Sequence, residues 1–309
     1  MRLDGLDLNL LVVFDALMRD RSVTAAGQRL NLSQSATSAA LGRLRDYFDD
    51  PLFVARGRRL APTSLALALA PEVGDILMRI RANLIARPGF DPATATRAFR
   101  LIVSDYAGIV LMTEVIRRAE RQAPGVTFEL LPFDDRPADP LLRGEVDFLI
   151  FPDRFLSDAH PSQPLFADEF CVVAWTGNRR VGKRLTAKQY LDLGHVSARF
   201  GPTRRISFEE RELARLGHAR RIEVVVQNFA MMATMVVGSE RIATLHRRLA
   251  DIFAAQLPLR ILPAPIPVIG FRESLQWPAP LDTDPAAMWL RDLIADVAAS
   301  LDGGTGTAA

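Results

Sequence analysis

The sequence contains a single cysteine, Cys171, in 309 residues. A lone thiol excludes an internal disulfide and the cysteine-rich frameworks of small secreted domains. Histidine is nearly as scarce, and His160, His195, His218 and His246 lie far apart, without the spacing a zinc site needs. No metal and no other cofactor is expected. Lysine is limited to Lys183 and Lys188 among 38 basic residues, a bias that reports composition rather than chemistry. No apolar run approaches the roughly 18 residues of a membrane span. The amino end carries Arg2, Asp4, Asp7, Asp15, Arg19 and Asp20 on a periodic apolar pattern, unlike the uncharged core of a secretory signal. The expectation is a cytoplasmic protein with no membrane partner.

What is present is globular in kind. A chain 49% hydrophobic and 24% charged has ample core material, which excludes disordered and fibrous classes. Its length fits two or three domains at roughly 100 to 200 residues each. The net charge of +2 is unevenly placed: residues 1–62 hold nine arginines against seven aspartates, so the entire excess lies in the first fifth. That asymmetry points to a polyanionic partner near the amino end.

Leu10, Leu11, Phe14, Leu17 and Met18 follow the spacing of one helical face, which predicts an amphipathic helix over residues 8–19. Ser22 is positioned to cap a second, short helix ending near Leu30, and Ala25, Ala26 and Gly27 give it a face that a crossing helix can approach closely. Ser33 caps a third helix reaching about Tyr47. Its opening turns are expected to expose Gln34, Ser35, Thr37 and Ser38, short polar side chains suited to base edges and phosphates in a major groove, with Ser22, Thr24 and Ser33 as further DNA contacts beside them. Arg43, further along, would meet backbone phosphate. Two short extended pieces about Gly57 then carry Arg56, Arg58 and Arg59 at their tip, the form of a basic wing. The competing reading is a structural helical bundle with a merely solvated polar face.

The stretch from Ser22-Val-Thr-Ala-Ala-Gly-Gln-Arg through Leu30-Asn-Leu-Ser-Gln-Ser-Ala-Thr-Ser38, followed by Leu41, Leu44 and Pro51-Leu-Phe53, resembles the winged helix-turn-helix of LysR-type transcriptional regulators. The opening Leu6-Asp-Leu-Asn-Leu-Leu11 and the Arg43-Leu-Arg45 segment are most similar to the nodulation-protein-D-like branch. Arg45 stands where many members have Glu, and the usual Thr-Pro-x-Gly start of the next helix reads Pro62-Thr63-Ser64-Leu65. The resemblance implies binding to double-stranded promoter DNA, a small-molecule effector and RNA polymerase as partners, and flavonoid-type inducers in that branch, though some branch members answer to salicylate-like acids.

Thr63 or Ser64 can cap a helix through Leu84 whose Leu69, Val73, Ile76, Leu77, Ile80 and Leu84 keep a helical period. A long helix between domains has little of its own chain to cover such a stripe, so pairing with a second copy is expected. The resemblance agrees, implying an antiparallel dimer contact and a dimer of dimers, a homotetramer. Residues 87–92 then break the pattern as a linker.

Beyond it, apolar runs alternate with helical segments in βαβαβ order, an open and mainly parallel sheet, and a second such set follows. The expected organisation is a winged helix-turn-helix over 1–62, a linker helix over 63–90 and a two-lobed α/β effector domain over 91–309, built like periplasmic solute-binding proteins. Lobe I takes residues 95–164 and 266–302, and lobe II residues 165–265. The run at Leu259–Leu262, although inside those bounds of lobe II, is also read with Val268–Phe271 and the final helix as returning to lobe I. Ligands in such sheets bind beyond the carboxyl ends of strands, between the lobes. That rule names Ser104, Asp105, Tyr106, Phe151, Phe200, Gly201, Thr203, Asn228, Phe229 and Phe271 as the wall. Asp105 at a helix start would repel a carboxylate, which favours a neutral or phenolic aromatic effector.

Enzymatic motifs are missing: there is no Gly-x-Ser-x-Gly, no Walker-type Gly-Lys-Ser and no paired histidine. No catalytic residue is assigned. The alternative, a cytoplasmic solute-binding or enzyme domain behind a structural N-terminal bundle, leaves the first 90 residues without a purpose.

Overall fold

The computed structural model describes residues 2–3, 6–57, 59–80 and 90–303. The chain forms two compact units, one of residues 1–88 joined by 139–145 and 280–284, the other of the remainder.

In the first unit, α1 (Asn9–Asp20), α2 (Val23–Arg29) and α3 (Gln34–Phe48) close around Leu10, Phe14, Leu17, Ala26, Leu41 and Leu44. Burying each large apolar side chain contributes about 1.5–3 kcal/mol, so this small core holds the three helices together. The serine caps form as expected: Ser22 Oγ accepts from the Ala25 amide at 3.3 Å and Ser33 Oγ from the Ala36 amide at 3.1 Å. Arg21 and Asp49 end α1 and α3 in the left-handed conformation. The wing is a hairpin of β1 (Phe53–Arg56) and β2 (Arg59–Pro62) turning at Gly57, whose φ of +64° favours glycine. Its base is sealed by Leu52 and Phe53, both fully buried, with the Phe53 ring 5.7 Å from that of Phe14.

The next helix, α4 (Ser64–Ile80), is capped by Thr63, whose Oγ1 accepts from the Ala66 amide at 3.2 Å. The altered Thr-Pro-x-Gly start therefore leaves capping intact. The expected continuation to Leu84 lies outside the described residues. Its stripe is divided: Ala66, Ala70, Val73 and Leu77 pack into the core of their own unit, whereas Leu67 and Ile76 are exposed. Coverage of Val73 and Leu77 by their own chain corrects the expectation that the whole stripe awaits a partner.

The second unit holds two sheets. In the first, β3 (Ala98–Ile102) pairs in parallel with β4 (Thr127–Leu131) and β5 (Phe148–Pro152), and β13 (Phe271–Gln276) lies antiparallel between β5 and β6 (Ser162–Asp168). In the second, β8 (Gly194–Phe200) pairs in parallel with β10 (Arg221–Val226) and β11 (Ile242–His246) and carries the short β9 (Arg205–Ile206) at its end. Strand β7 (Phe170–Trp175) then runs antiparallel to β11 and to β12 (Leu259–Pro263). Both sheets are therefore mixed rather than mainly parallel. Only Glu169 separates β6 from β7, so the chain crosses between lobes there. It returns after Pro263. Leu259–Leu262 belongs to the second lobe, because Leu262 is buried among Val172 and other side chains of that sheet. The returning strand starts at Phe271, not Val268.

Candidate functional site

The polar face of α3 is built by its own cap. Gln34, Ser35 and Ser38 are exposed, as is Thr24 on α2, while Ser22 is half-buried. Ser33 Oγ lies 2.9 Å from Ser35 Oγ. Thr37 departs from expectation: it is fully buried and donates to the Ser33 carbonyl at 3.0 Å. The reason is the crossing with α2, where a Cβ added to Gly27 would stand 2.8 Å from Thr37 Oγ1 and 3.0 Å from the Leu32 carbonyl. Thr37 holds the turn and does not face outward.

Arg43 is exposed and paired with Asp7 at 2.8 Å, a contact that holds the Asp7 carboxyl below its usual range. Arg56 and Arg59 are register partners at the wing tip and both exposed. Arg58 lies outside the described residues. Arg45 acts differently, donating from Nε to the Pro51 carbonyl and from Nη2 to the Phe53 carbonyl, both at 2.8 Å, so it fastens the start of the wing to α3.

Within the second unit, a cavity of about 260 Å³ opens between the two sheets. Aromatic rings encircle it. Phe133, Phe151, Phe155, Phe208, Phe170, His246, Phe229 and Phe200 follow one another in a closed belt, with successive centroids 4.4 to 6.1 Å apart. The belt crosses between lobes at Phe155–Phe208 and at Phe200–Phe133. Tyr106 stacks on His246 at 4.0 Å, and Phe271 lies edge-on to both. The Tyr106 hydroxyl donates to Asp168 at 2.6 Å, and burial together with that carboxylate pushes its pKa far above the usual phenol range.

Six of the ten expected wall residues line this cavity: Ser104, Tyr106, Phe151, Phe200, Phe229 and Phe271. The other four hold its surroundings together. Asp105 accepts from the Ala230 amide at 2.7 Å, so it caps α5 (Phe229–Val236) across the lobes, and burial raises its pKa. Asn228 caps the same helix through the Met231 amide at 2.9 Å. Gly201 turns the loop after β8 with φ +68°, and Thr203 and Arg205 fix that loop to Asp135. The repulsive acid expected at Asp105 is thus engaged elsewhere. The acids that do line the cavity are Asp135, which holds the Thr203 loop, and Glu273, which was missed because a lone carboxylate within Phe271-Arg-Glu-Ser-Leu-Gln276 carries no local signal. Phe170 and His246 were missed too, yet they are register partners where β7 begins and β11 ends.

A helix-turn-helix with a basic wing, followed by a two-lobed α/β unit enclosing a ligand-sized cavity, defines a ligand-responsive DNA-binding regulator. Residues 8–67 match the bacterial regulatory helix-turn-helix proteins of the lysR family, and residues 93–299 match the LysR substrate binding domain. The chain belongs to the LysR family of transcriptional regulators, not to an enzyme family. It is 47% identical to Nodulation protein D 1 of Bradyrhizobium sp. (strain NC92) over 301 residues, covering 97% of this chain and 96% of that one. It is equally 47% identical to Nodulation protein D 1 of Rhizobium meliloti (strain 1021), covering 98% of each. Full-length OxyR from Pseudomonas aeruginosa shares the fold with a TM-score of 0.74 at 17% identity, covering 94% of this chain and 97% of that chain.

Proposed function

We propose that this regulator reads promoter DNA through Gln34, Ser35, Ser38 and Thr24, with Arg43, Arg56, Arg58 and Arg59 on phosphates, and is controlled by a small uncharged aromatic effector of phenolic type. The observation that carries the effector class is the closed aromatic belt around the cavity; of the two guanidinium groups in its wall, Arg205 donates to the Asp135 carbonyl at 2.6 Å and Arg211 lies over the Phe155 ring at 5.0 Å with its Nε unpartnered. A carboxylate on Arg205 would have to displace the Asp135 contact. Occupation of the cavity shifts the balance between two arrangements of paired DNA-binding units, and it can do so only if the effector binds the two arrangements with different affinity. The assembly is a dimer or dimer of dimers, acting in the cytoplasm with RNA polymerase as a further partner.

Footprinting on the DNA upstream of the protein's own gene, with and without a library of hydroxylated aromatics, tests this reading. A protected site whose extent or hypersensitivity changes with an aromatic compound is the expected result. Protection that responds only to aliphatic acids would overturn the effector class, and no protection at low salt would overturn the DNA-binding assignment.

A further inference from the structure

This inference rests on the reading of the cavity as the effector site and names the groups that select the effector. Two of the side chains in its wall are more than nine-tenths buried and leave a polar atom without a hydrogen-bond partner: Glu273, 3% exposed, through Oε2, and His246, 6% exposed, through Nδ1. Buried polar atoms are normally paired, so orphans that face a cavity mark the place where a ligand completes the bonding. The strand explains the aim of Glu273, since alternation along β13 puts Phe271 and Glu273 on the same face and both line the cavity. The obvious phenol in the wall is unavailable, because Tyr106 already donates its hydroxyl to Asp168.

We infer that Glu273 and His246 together read a hydroxyl group on an uncharged aromatic effector, and that this pair rejects acids and amines of the same shape. Burial, with the nearby charges of Asp168 and Asp153, pushes the Glu273 carboxyl up to about 8, so at neutral pH it keeps its proton. Burial holds the His246 imidazole down to about 3, so it is neutral. A protonated carboxyl and a neutral imidazole can each donate and accept. A hydroxyl also does both, so it suits either orphan. A carboxylate would add charge beside Asp168 and Asp153. An ammonium would have to draw the proton from Glu273 with Arg205 and Arg211 in the same wall.

The test is isothermal titration of the full-length protein at pH 7 with four matched two-ring probes: 2-naphthol, naphthalene, 2-naphthoate and 2-naphthylmethylammonium. The wild-type protein is expected to bind 2-naphthol about tenfold tighter than the other three. Glu273→Leu should erase the preference over naphthalene, and Glu273→Gln, a neutral donor and acceptor of like shape, should keep most of it. His246→Phe preserves the ring stack and should lose several-fold of the preference. Thermal melting checks that each variant folds; if Glu273→Leu does not, Glu273→Met makes the same comparison. An undiminished hydroxyl preference in the leucine or methionine variant overturns this inference and leaves the effector cavity standing, as does tighter wild-type binding of the acid or the amine. Failure of every probe, and of the hydroxylated aromatic library, to bind overturns both.

Discussion

Glu273 is costly to the folded protein as well as placed to bind, and pH separates the two. Its carboxyl holds a proton in the folded state up to about pH 8, whereas the unfolded chain releases it near 4.5. A raised acid stabilises least when ionised, so stability is lost as pH climbs between those values. His246 and His195 act with the opposite slope: burial holds them down to about 3 and about 4, so their contribution is present above 6.5 and is lost as pH falls. From 4.5 to 6.5 the slopes oppose each other. Above 6.5 only the Glu273 slope remains of these three. The wild-type protein should lose about 1–2 kcal/mol between pH 6.5 and 8, and Glu273→Gln should lose little; urea midpoints at the two pH values decide it, with parallel curves counting against the account. Gly27 gives a second residue-scale test. A methyl there meets the Leu32 carbonyl and Thr37 Oγ1 at 3.0 and 2.8 Å, and the backbone oxygen cannot step aside cheaply. Gly27→Ala should cost about 1–3 kcal/mol, seen as a lower urea midpoint for the first unit, and an unchanged midpoint would show that α2 and α3 can separate freely.

At the scale of elements, the three helices were legible because their apolar faces keep a helical period and Ser22 and Ser33 supply the caps. Exposure along α3 was less legible. The sequence shows Ser35, Thr37 and Ser38 as equivalent small polar residues, and only the close approach of Gly27 singles out Thr37 for burial. DNA binding should respect that distinction. Gln34→Ala and Ser35→Ala are expected to reduce discrimination between operator and unrelated DNA, with each lost base contact costing about 1–3 kcal/mol, whereas Thr37→Val should lower stability first. On the wing, Arg56 and Arg59 stand opposite each other without apolar cover. Removing Arg56 should weaken binding to all sequences alike and lower the slope of log affinity against log salt by about 1. Fluorescence anisotropy at several salt concentrations reads this, and an unaltered slope would take the wing off the phosphates.

For the whole molecule, strand order was the least legible feature, for a physical reason. Parallel strands β4 and β5 each follow a helical segment, but β6 is interrupted by Pro164 and ends in Asp168, and β13 mixes Arg272 and Glu273 with buried apolar residues. Pairing partners far apart in the chain decide which lobe such segments join. The cavity was half legible, because strand ends name residues locally, whereas the belt closes only through rings such as Phe155 and Phe208 that stand in short helical segments beyond the strands.

Assembly depends on the same distinction between local pattern and remote cover. On α4, Val73 and Leu77 are 5% exposed and already serve their own core, while Leu67 at 54% and Ile76 at 43% have no such role. If a second copy covers the helix, its contact must include the latter pair and cannot depend on the former. Ile76→Glu should then lower the mass measured by light scattering and weaken operator binding, since two half-sites no longer engage together, with the melting temperature of a dilute sample little changed. Val73→Ala should do the reverse, costing about 1 kcal/mol or more through the cavity it leaves while the mass holds. Full mass in the Ile76→Glu protein would place the contact between copies elsewhere than on this helix.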